Sequence, residues 1–195
     1  MSPDRLLDRL MTLGRVSALP GGGVSRLALT ADDRRGRELV ISWMRALGLR
    51  VTIDQIGNVV AVRPGIEDDA APVMTGSHID TVHASGVYDG CLGVLAGLEV
   101  VAALNAARVA TRRPIAVAFF TNEEGARFAP DMMGSLVYVG GLSLEEARAT
   151  EGIDGMTVGE CLERERLAQR LCECLAPAGK LLRRLLQRDS QAKRW

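Results

Sequence analysis

Three consecutive segments indicate a parallel β-sheet: Pro72–Gly76 (PVMTG), Cys91–Arg108 (CLGVLAGLEVVAALNAAR) and Pro114–Phe120 (PIAVAFF). The first and third are short apolar runs of strand length, and the second is long enough for a helix and rich in Leu, Val and Ala. The order strand, helix, strand predicts two parallel strands joined by a right-handed helical crossover. Near-continuous apolar strands are typical of buried positions, so we expect both strands to be covered on both faces.

Side chains that can bind metal ions follow both predicted strands. His78 follows the first strand, Glu123 and Glu124 follow the second, and Asp89 stands just before the predicted helix. In open α/β sheets, ligands bind beyond the carboxyl ends of the strands. The connectivity therefore predicts that these four residues meet at one edge of the sheet, although they are far apart in the chain.

The spacing of these residues suggests a distinct role for each. Residues two apart in an extended segment point the same way, so the Asp80 carboxylate is expected to contact the His78 ring nitrogen that faces away from a metal. Asp89 stands between a tyrosine and a glycine and can present two oxygens to two cations. The adjacent carboxylates of Glu123 and Glu124 diverge, so one can bind metal while the other accepts a proton from water. The reaction implied is hydrolysis by a metal-activated water.

The flanking segments predict further helices and a strand pair. Thr30 precedes an amphipathic run with an acidic third position, and Gly48 ends that run, which is typical of a capped helix. Arg50–Arg63 contains two β-rich runs and is expected to form a hairpin or a bent strand pair. Ser143–Glu146 has the capping-box pattern of a short helix, whereas Met132–Ser135 is interpreted as a loop.

Three residues near these motifs are expected to have structural roles. Cys91, at the start of the predicted helix, is interpreted as a small packed thiol. Arg127 is expected to pair with a nearby carboxylate rather than to contact a substrate. His83 has no partner at a characteristic spacing and is interpreted as a loop histidine.

Composition indicates an ordinary globular protein. The chain has 195 residues, of which 47% are hydrophobic and 25% charged, which is enough material to bury a core. The sequence contains no apolar run of membrane-span length, and its first residues mix acidic and basic side chains with leucines. The formal net charge is zero, which gives no reason to expect nucleic acid or a membrane as a partner. We therefore expect a cytoplasmic protein.

Three motifs resemble those of a known enzyme family. They are Gly76–Val82 (GSHIDTV), Tyr88–Glu99 (YDGCLGVLAGLE) and Phe120–Phe128 (FTNEEGARF). Together they resemble the amidase and carbamoylase branch of the M20 metallopeptidases, which includes N-carbamoyl-L-amino-acid hydrolases and allantoate amidohydrolases. The resemblance covers roughly residues 3–160. It implies an α/β fold of the zinc-peptidase type, with a mixed sheet flanked by helices.

The resemblance also implies a role for each site residue. His78 would bind one metal ion, Asp89 would bridge two, Glu124 would bind the second, Glu123 would be the general base, and Asp80 would orient His78. The implied cofactors are two divalent ions, Zn, Mn, Co or Ni. The implied substrates are small molecules with non-peptide C–N bonds, such as N-carbamoyl-L-amino acids, allantoate or ureidoglycolate. An aminopeptidase or dipeptidase of the same clan is an alternative.

The sequence also departs from the family pattern. Family members form homodimers through a lid and dimerisation domain and supply two further histidine ligands, whereas this sequence contains only His78 and His83. From residue 161 onwards the sequence holds 9 of the 24 basic residues and 4 of the 24 acidic ones. We interpret residues 1–160 as the N-terminal part of a metal-dependent catalytic domain and residues 161–195 as a divergent basic tail, partly helical or disordered. These observations predict a truncated or frameshifted product without the lid domain. A catalytically inactive fragment, or a binding partner of a full-length relative, is therefore the alternative to an active hydrolase.

Overall fold

The computed structural model describes residues 1–164 of the chain. The helices are α1 (Pro3–Arg15), α2 (Ala31–Ala46), α3 (Cys91–Ala106), α4 (Met133–Val139) and α5 (Leu144–Ala149). The strands are β1 (Arg50–Ile53), β2 (Val59–Arg63), β3 (Val73–His78) and β4 (Ile115–Phe120). Residues 158–164 are also helical. Among these described helices, none combines the length and the hydrophobicity that crossing a membrane requires.

The described strands form one mixed sheet in the order β1-β2-β4-β3. Strands β1 and β2 are antiparallel, as are β2 and β4, whereas β3 and β4 run parallel. Helix α3 connects the parallel pair and packs against both of its strands. The predicted strand pair in Arg50–Arg63 and the predicted helical crossover are therefore both confirmed.

The prediction that both parallel strands are buried is correct for β4 and wrong for β3. Strand β4 has a neighbour on each side, and its central residues are buried. Strand β3 lies at the edge of the described sheet, and Val73 and Met74 are 56% and 36% exposed. An apolar run indicates a strand, but its position in the sheet depends on the order of the strands, which the run itself does not encode.

Local capping explains where two of the helices begin. The Thr30 side chain accepts a hydrogen bond from the Asp33 backbone N–H at the start of α2. The Ser143 and Glu146 side chains each accept from the other residue's backbone N–H and so form the predicted capping box of α5. Both helices therefore begin at the residues that the sequence predicts.

The prediction of a loop at Met132–Ser135 is wrong, because helix α4 begins at Met133. The residue at its N-cap position, Met132, makes no side-chain capping hydrogen bond. The backbone N–H of Ser135 instead donates to the Glu123 carboxylate, at 2.9 Å. Because this partner is distant in sequence, the helix start carries no local capping signal.

Two hydrophobic clusters hold the described residues together. The first cluster lies between the helices α1 to α3 and the sheet and consists of Leu10, Leu13, Val40, Ile41, Met44, Leu49, Val59, Ala61, Ile79, Cys91, Val94, Leu95, Leu98, Val101, Val117 and Phe119. The second cluster lies around α4 and α5 and consists of Leu29, Ile56, Phe128, Met133, Ala147, Val158, Cys161 and Leu162. Two residues of the predicted tail, Cys161 and Leu162, thus pack into the second cluster. Residues 165–195 of that tail lie outside the described residues.

Candidate metal centre

The structure brings His78, Asp89 and Glu124 together at the carboxyl ends of the parallel strands. Each offers one possible ligand atom, and these three atoms lie within 4.8 Å of one another. The His78 Nε2 atom is 4.0 Å from Asp89 Oδ1. Of the four residues that were predicted to meet at one edge of the sheet, these three are confirmed to do so.

His78 is the last residue of β3, and its ring is held by the backbone that follows it. The ring Nδ1 atom lies 2.9 Å from the Asp80 backbone carbonyl oxygen. That contact leaves Nε2 directed toward the acidic residues, since a hydrogen bond at one ring nitrogen determines which nitrogen is free to bind a metal. The imidazole side chain is only 14% exposed.

Asp80 contacts His78 in a different way from the one that the sequence predicts. The contact comes from its backbone carbonyl, whereas its carboxylate Oδ2 accepts a hydrogen bond from the Glu124 backbone N–H at 3.2 Å. Strand β3 ends at His78, so Asp80 lies beyond the strand and the alternation of side chains no longer applies. Asp80 thereby links the segment after β3 to the segment after β4.

Burial raises the pKa of two carboxyl groups, that of Asp80 beside the ligand cluster and that of Glu124 within it. It raises the pKa of Asp80 to about 6, and the negative charge of Asp33 adds to the rise. Burial also raises the pKa of Glu124, an effect that the His78 imidazole opposes and the Asp89 carboxylate increases. A bound cation would neutralise these carboxylates and so remove the unfavourable repulsion between them.

The residues present fit a divalent cation. Imidazole nitrogen and carboxylate oxygen are the ligands that zinc and related transition metals take in proteins. Glu124 Oε1 is buried and has no hydrogen-bond partner within residues 1–164. A buried carboxylate oxygen without a partner is costly, and a bound cation would satisfy it.

Gly90 allows the close approach of the segment that carries Asp89 to the His78 ring. Its φ is +60°, in the left-handed region that favours glycine. A Cβ at this position would lie 2.4 to 2.5 Å from three atoms of the imidazole. The glycine therefore makes room for the ring beside Asp89.

Glu123 lies next to the ligand cluster but faces helix α4. Its carboxylate accepts hydrogen bonds from the Ser135 backbone N–H and from the Ser135 hydroxyl, both at 2.9 Å. Two donors on one residue fix the position of both carboxylate oxygens. The diverging orientations of Glu123 and Glu124 agree with the prediction from their adjacency.

The three residues that were expected to be structural, Cys91, Arg127 and the loop residue His83, behave as predicted. Cys91 is buried and accepts a hydrogen bond from Arg26. Arg127 is buried and pairs with Asp154, with 2.8 Å between Nη2 and Oδ2. His83 is exposed and does not belong to the ligand cluster.

Sequence reasoning missed two residues that shape the centre, Gly90 and Ser135. The glycine stands directly after Asp89, and the pattern Asp-Gly before a helix is a signal for a tight approach. Ser135 gives no such signal, because its partner Glu123 is 12 positions away in the chain.

Comparison with known proteins shows similarity to a peptidase family and to amidohydrolases. The profile of peptidase family M20/M25/M40 matches residues 74–172. An N-carbamoyl-L-amino acid amidohydrolase of Geobacillus stearothermophilus is 49% identical over 152 residues, which are 77% of this chain and 37% of that protein. A ureidoglycolate hydrolase of Arabidopsis thaliana is 35% identical over 78% of this chain and 32% of its own length.

A solved structure supports the fold as well. The crystal structure of a hydantoinase/carbamoylase family amidase from Burkholderia ambifaria has a TM-score of 0.83 and 48% sequence identity, and the match covers 85% of this chain and 41% of that one. The matches thus span between about one third and two fifths of the length of these similar proteins. The chain is thus similar to amidohydrolases and to hydantoinase/carbamoylase family amidases, and the matching profile shows that it belongs to peptidase family M20/M25/M40.

Proposed function

We propose that the chain carries the cation-binding and proton-accepting part of a hydrolase that cleaves non-peptide C–N bonds of N-carbamoyl or ureido compounds. The observation that carries the proposal is the convergence of His78, Asp89 and Glu124 beside Glu123. The substrate class is supported by similar proteins, among them an N-carbamoyl-L-amino acid amidohydrolase, a ureidoglycolate hydrolase and an allantoate deiminase from Glycine max.

The proposed roles follow from the contacts of each side chain. His78 and Glu124 would hold a cation from the two strand ends, and Asp89, which is 64% exposed, would offer a carboxylate toward the open side. A divalent cation bound there would supply Lewis acidity, which lowers the pKa of water and polarises a carbonyl group. Glu123 would accept the proton from the attacking water, and Ser135 would hold its carboxylate in place for that transfer.

The number of ligands limits what residues 1–164 can do alone. Structural and catalytic zinc sites use at least three protein ligands for one ion, so three ligands divided between two ions leave both incomplete. We propose that one Zn, Mn, Co or Ni ion binds first at His78, Asp89 and Glu124. A second ion, and the homodimer typical of the family, would need groups beyond these residues.

Hydrolysis in the presence of added metal tests the proposal. Purified protein would be incubated with N-carbamoyl-L-amino acids and with allantoate, with Mn, Co, Ni or Zn added and with each omitted. We expect metal-dependent release of ammonia or carbamate-derived products and its loss in Glu123→Gln, which keeps the shape of the side chain but cannot accept the proton. Metal binding measured in parallel separates the two parts of the proposal. A protein that neither binds these ions nor hydrolyses these compounds would contradict it and would favour an inactive binding partner.

A further inference from the structure

Arg26 is the largest fully buried side chain of the described residues, and the proposed mechanism does not use it. Only 1% of its surface is exposed. Burying a guanidinium is costly unless all sides of the group are paired. The hydrogen-bond partners of Arg26 therefore indicate which parts of the structure its burial stabilises.

One side of Arg26 holds the segment that follows His78. Its Nε donates to the Ile79 carbonyl at 2.7 Å, and its backbone N–H donates to the Thr81 hydroxyl at 2.7 Å. The Thr81 backbone N–H donates in turn to the Arg26 carbonyl at 2.9 Å. Ile79 stands between His78 and Asp80, whose carbonyl contacts the imidazole. Arg26 thus fixes the backbone from which the His78 ring is oriented.

The other side of Arg26 holds the start of α3. Its Nη2 donates to Cys91 Sγ at 3.2 Å. Cys91 is the first residue of α3 and follows Asp89 and Gly90 directly, and its own backbone N–H donates to the Asp89 carbonyl. A single planar group therefore contacts the segments that carry two of the three candidate ligands.

Arginine suits this task better than any other side chain. Its five N–H donors lie in one rigid plane, and the group stays charged at any ordinary pH. The remaining nitrogen, Nη1, donates to the Ser17 hydroxyl at 2.9 Å and to the Leu13 carbonyl at 3.3 Å, at the end of α1. Gly36 in α2 leaves room for the stem, because a Cβ there would lie 2.8 Å from Arg26 Cδ.

We propose that Arg26 is a positioning residue that fixes His78 relative to Asp89 and so sets the cation affinity of the candidate centre. The inference rests on the proposed function, because it assigns to these two side chains a common cation. The proposed role differs from a general structural role in one respect. The contacts of Arg26 with Ile79 and Cys91 set the cation affinity, whereas its contact with Ser17 does not.

Two variants that each remove one contact of Arg26 separate these roles. Cys91→Ala removes the acceptor beside Asp89, and Ser17→Ala removes the acceptor at the end of α1. Cys91→Ser keeps an acceptor at the first position and serves as the conservative rescue. Arg26→Lys completes the set, since it keeps the charge but loses the planar fork.

The full chain of each variant would be titrated with Co²⁺, followed by the visible absorption of the bound ion and by calorimetry. We expect Cys91→Ala and Arg26→Lys to weaken Co²⁺ binding by about 10- to 100-fold, the range seen when groups that orient metal ligands are removed. Ser17→Ala should bind Co²⁺ as the unchanged protein does, and Cys91→Ser should recover most of the affinity. Equal losses in Cys91→Ala and Ser17→Ala would overturn the proposal.

Hydrogen exchange on the metal-free proteins gives a second readout that does not depend on the cation. We expect Cys91→Ala to speed amide exchange around His78 and around Asp89, and Ser17→Ala to speed it only at the end of α1. Failure of the unchanged protein to bind Co²⁺ would contradict the proposed function, while the exchange pattern would still decide whether Arg26 fixes the two segments. Uniform acceleration in both variants would overturn the positioning role.

Discussion

At Gly90 the backbone passes so close to the His78 ring that no side chain fits between them. In Gly90→Ala the added Cβ would meet three ring atoms at 2.4 to 2.5 Å, and the positive φ of residue 90 would add strain. Because the ring must move to relieve the clash, we expect cation affinity to fall by about 10- to 100-fold. Isothermal titration with Zn²⁺ or Co²⁺ would measure the loss.

Gly86 provides the matched control for that substitution. It lies in the same segment between β3 and α3, and a Cβ there would meet no heavy atom within 4 Å. Gly86→Ala should therefore bind the cation as the unchanged protein does. Similar losses at both positions would mean that the affinity depends on the flexibility of the segment and not on the position of the His78 ring.

The identity of the candidate ligands could be predicted from the sequence, but their exact contacts could not. His78, Asp89 and Glu124 each stand at the end of a strand or the start of a helix, and such positions can be located from apolar runs. The contact of the Asp80 carboxylate with the Glu124 backbone depends on where β3 ends, which the alternation of residues does not reveal. The part played by Ser135 depends on the path of the chain after β4.

At the scale of elements, an ion pair between the buried Glu99 and the exposed Arg5 joins α1 to α3. Glu99 accepts from Arg5 Nε at 2.7 Å and from Arg5 Nη2 at 2.8 Å, and also from the Ser2 backbone N–H. The Arg5 guanidinium holds the pKa of Glu99 below its ordinary value of 4.5. A carboxyl group with a lowered pKa in the folded state stabilises the fold above its unfolded pKa, and the stabilisation is lost as the pH falls through the folded value.

We therefore expect Glu99→Gln to lower the free energy of unfolding at neutral pH and to lower it progressively less as the pH falls below 4.5. Urea unfolding of both proteins at a series of pH values would measure the difference. Glu38→Gln on α2 is the control, because it removes an acidic group without touching this pair. The prediction would be contradicted if the two proteins differed in free energy of unfolding by the same amount at every pH.

Helix α4 depends on the absence of a side chain at Gly134. A Cβ there would lie 2.4 Å from both Asn58 Oδ1 and the Thr121 backbone nitrogen. Gly134→Ala should push the first turn of α4 away from the end of β4 and cost about 1–3 kcal/mol of stability, as overpacking usually does. Chemical denaturation would measure the loss, and an unchanged midpoint would show that the helix can shift freely.

Among the elements, those with local signals were predicted well. The caps of α2 and α5 and the apolar runs of β3, α3 and β4 can be recognised from neighbouring residues alone. Helix α4 could not be recognised, because Glu123 supplies its capping group from a distant position. The exposure of β3 could not be predicted either, since it follows from the order in which the strands assemble.

At the scale of the whole molecule, cation binding should raise stability. A ligand that binds only the folded state stabilises it by about 2.7 kcal/mol at a free concentration about 100 times Kd. We expect the midpoint of thermal unfolding to rise with added Zn²⁺ or Co²⁺, and the rise to disappear in His78→Ala. His83→Ala is the matched control, because His83 is exposed and does not belong to the cluster. An equal rise in both variants would show that the ion stabilises the protein from another site.

The candidate centre is built from segments that border both hydrophobic clusters. Ile79 and Cys91, beside His78 and Asp89, belong to the first cluster, whereas Phe128 and Met133, which follow Glu124, belong to the second. A cation shared by His78 and Glu124 would act as a cross-link between a segment next to the first cluster and a segment next to the second. Removal of the cation should then allow these two segments to move independently. Loss of metal would therefore change the rigidity of residues 1–164 as a whole.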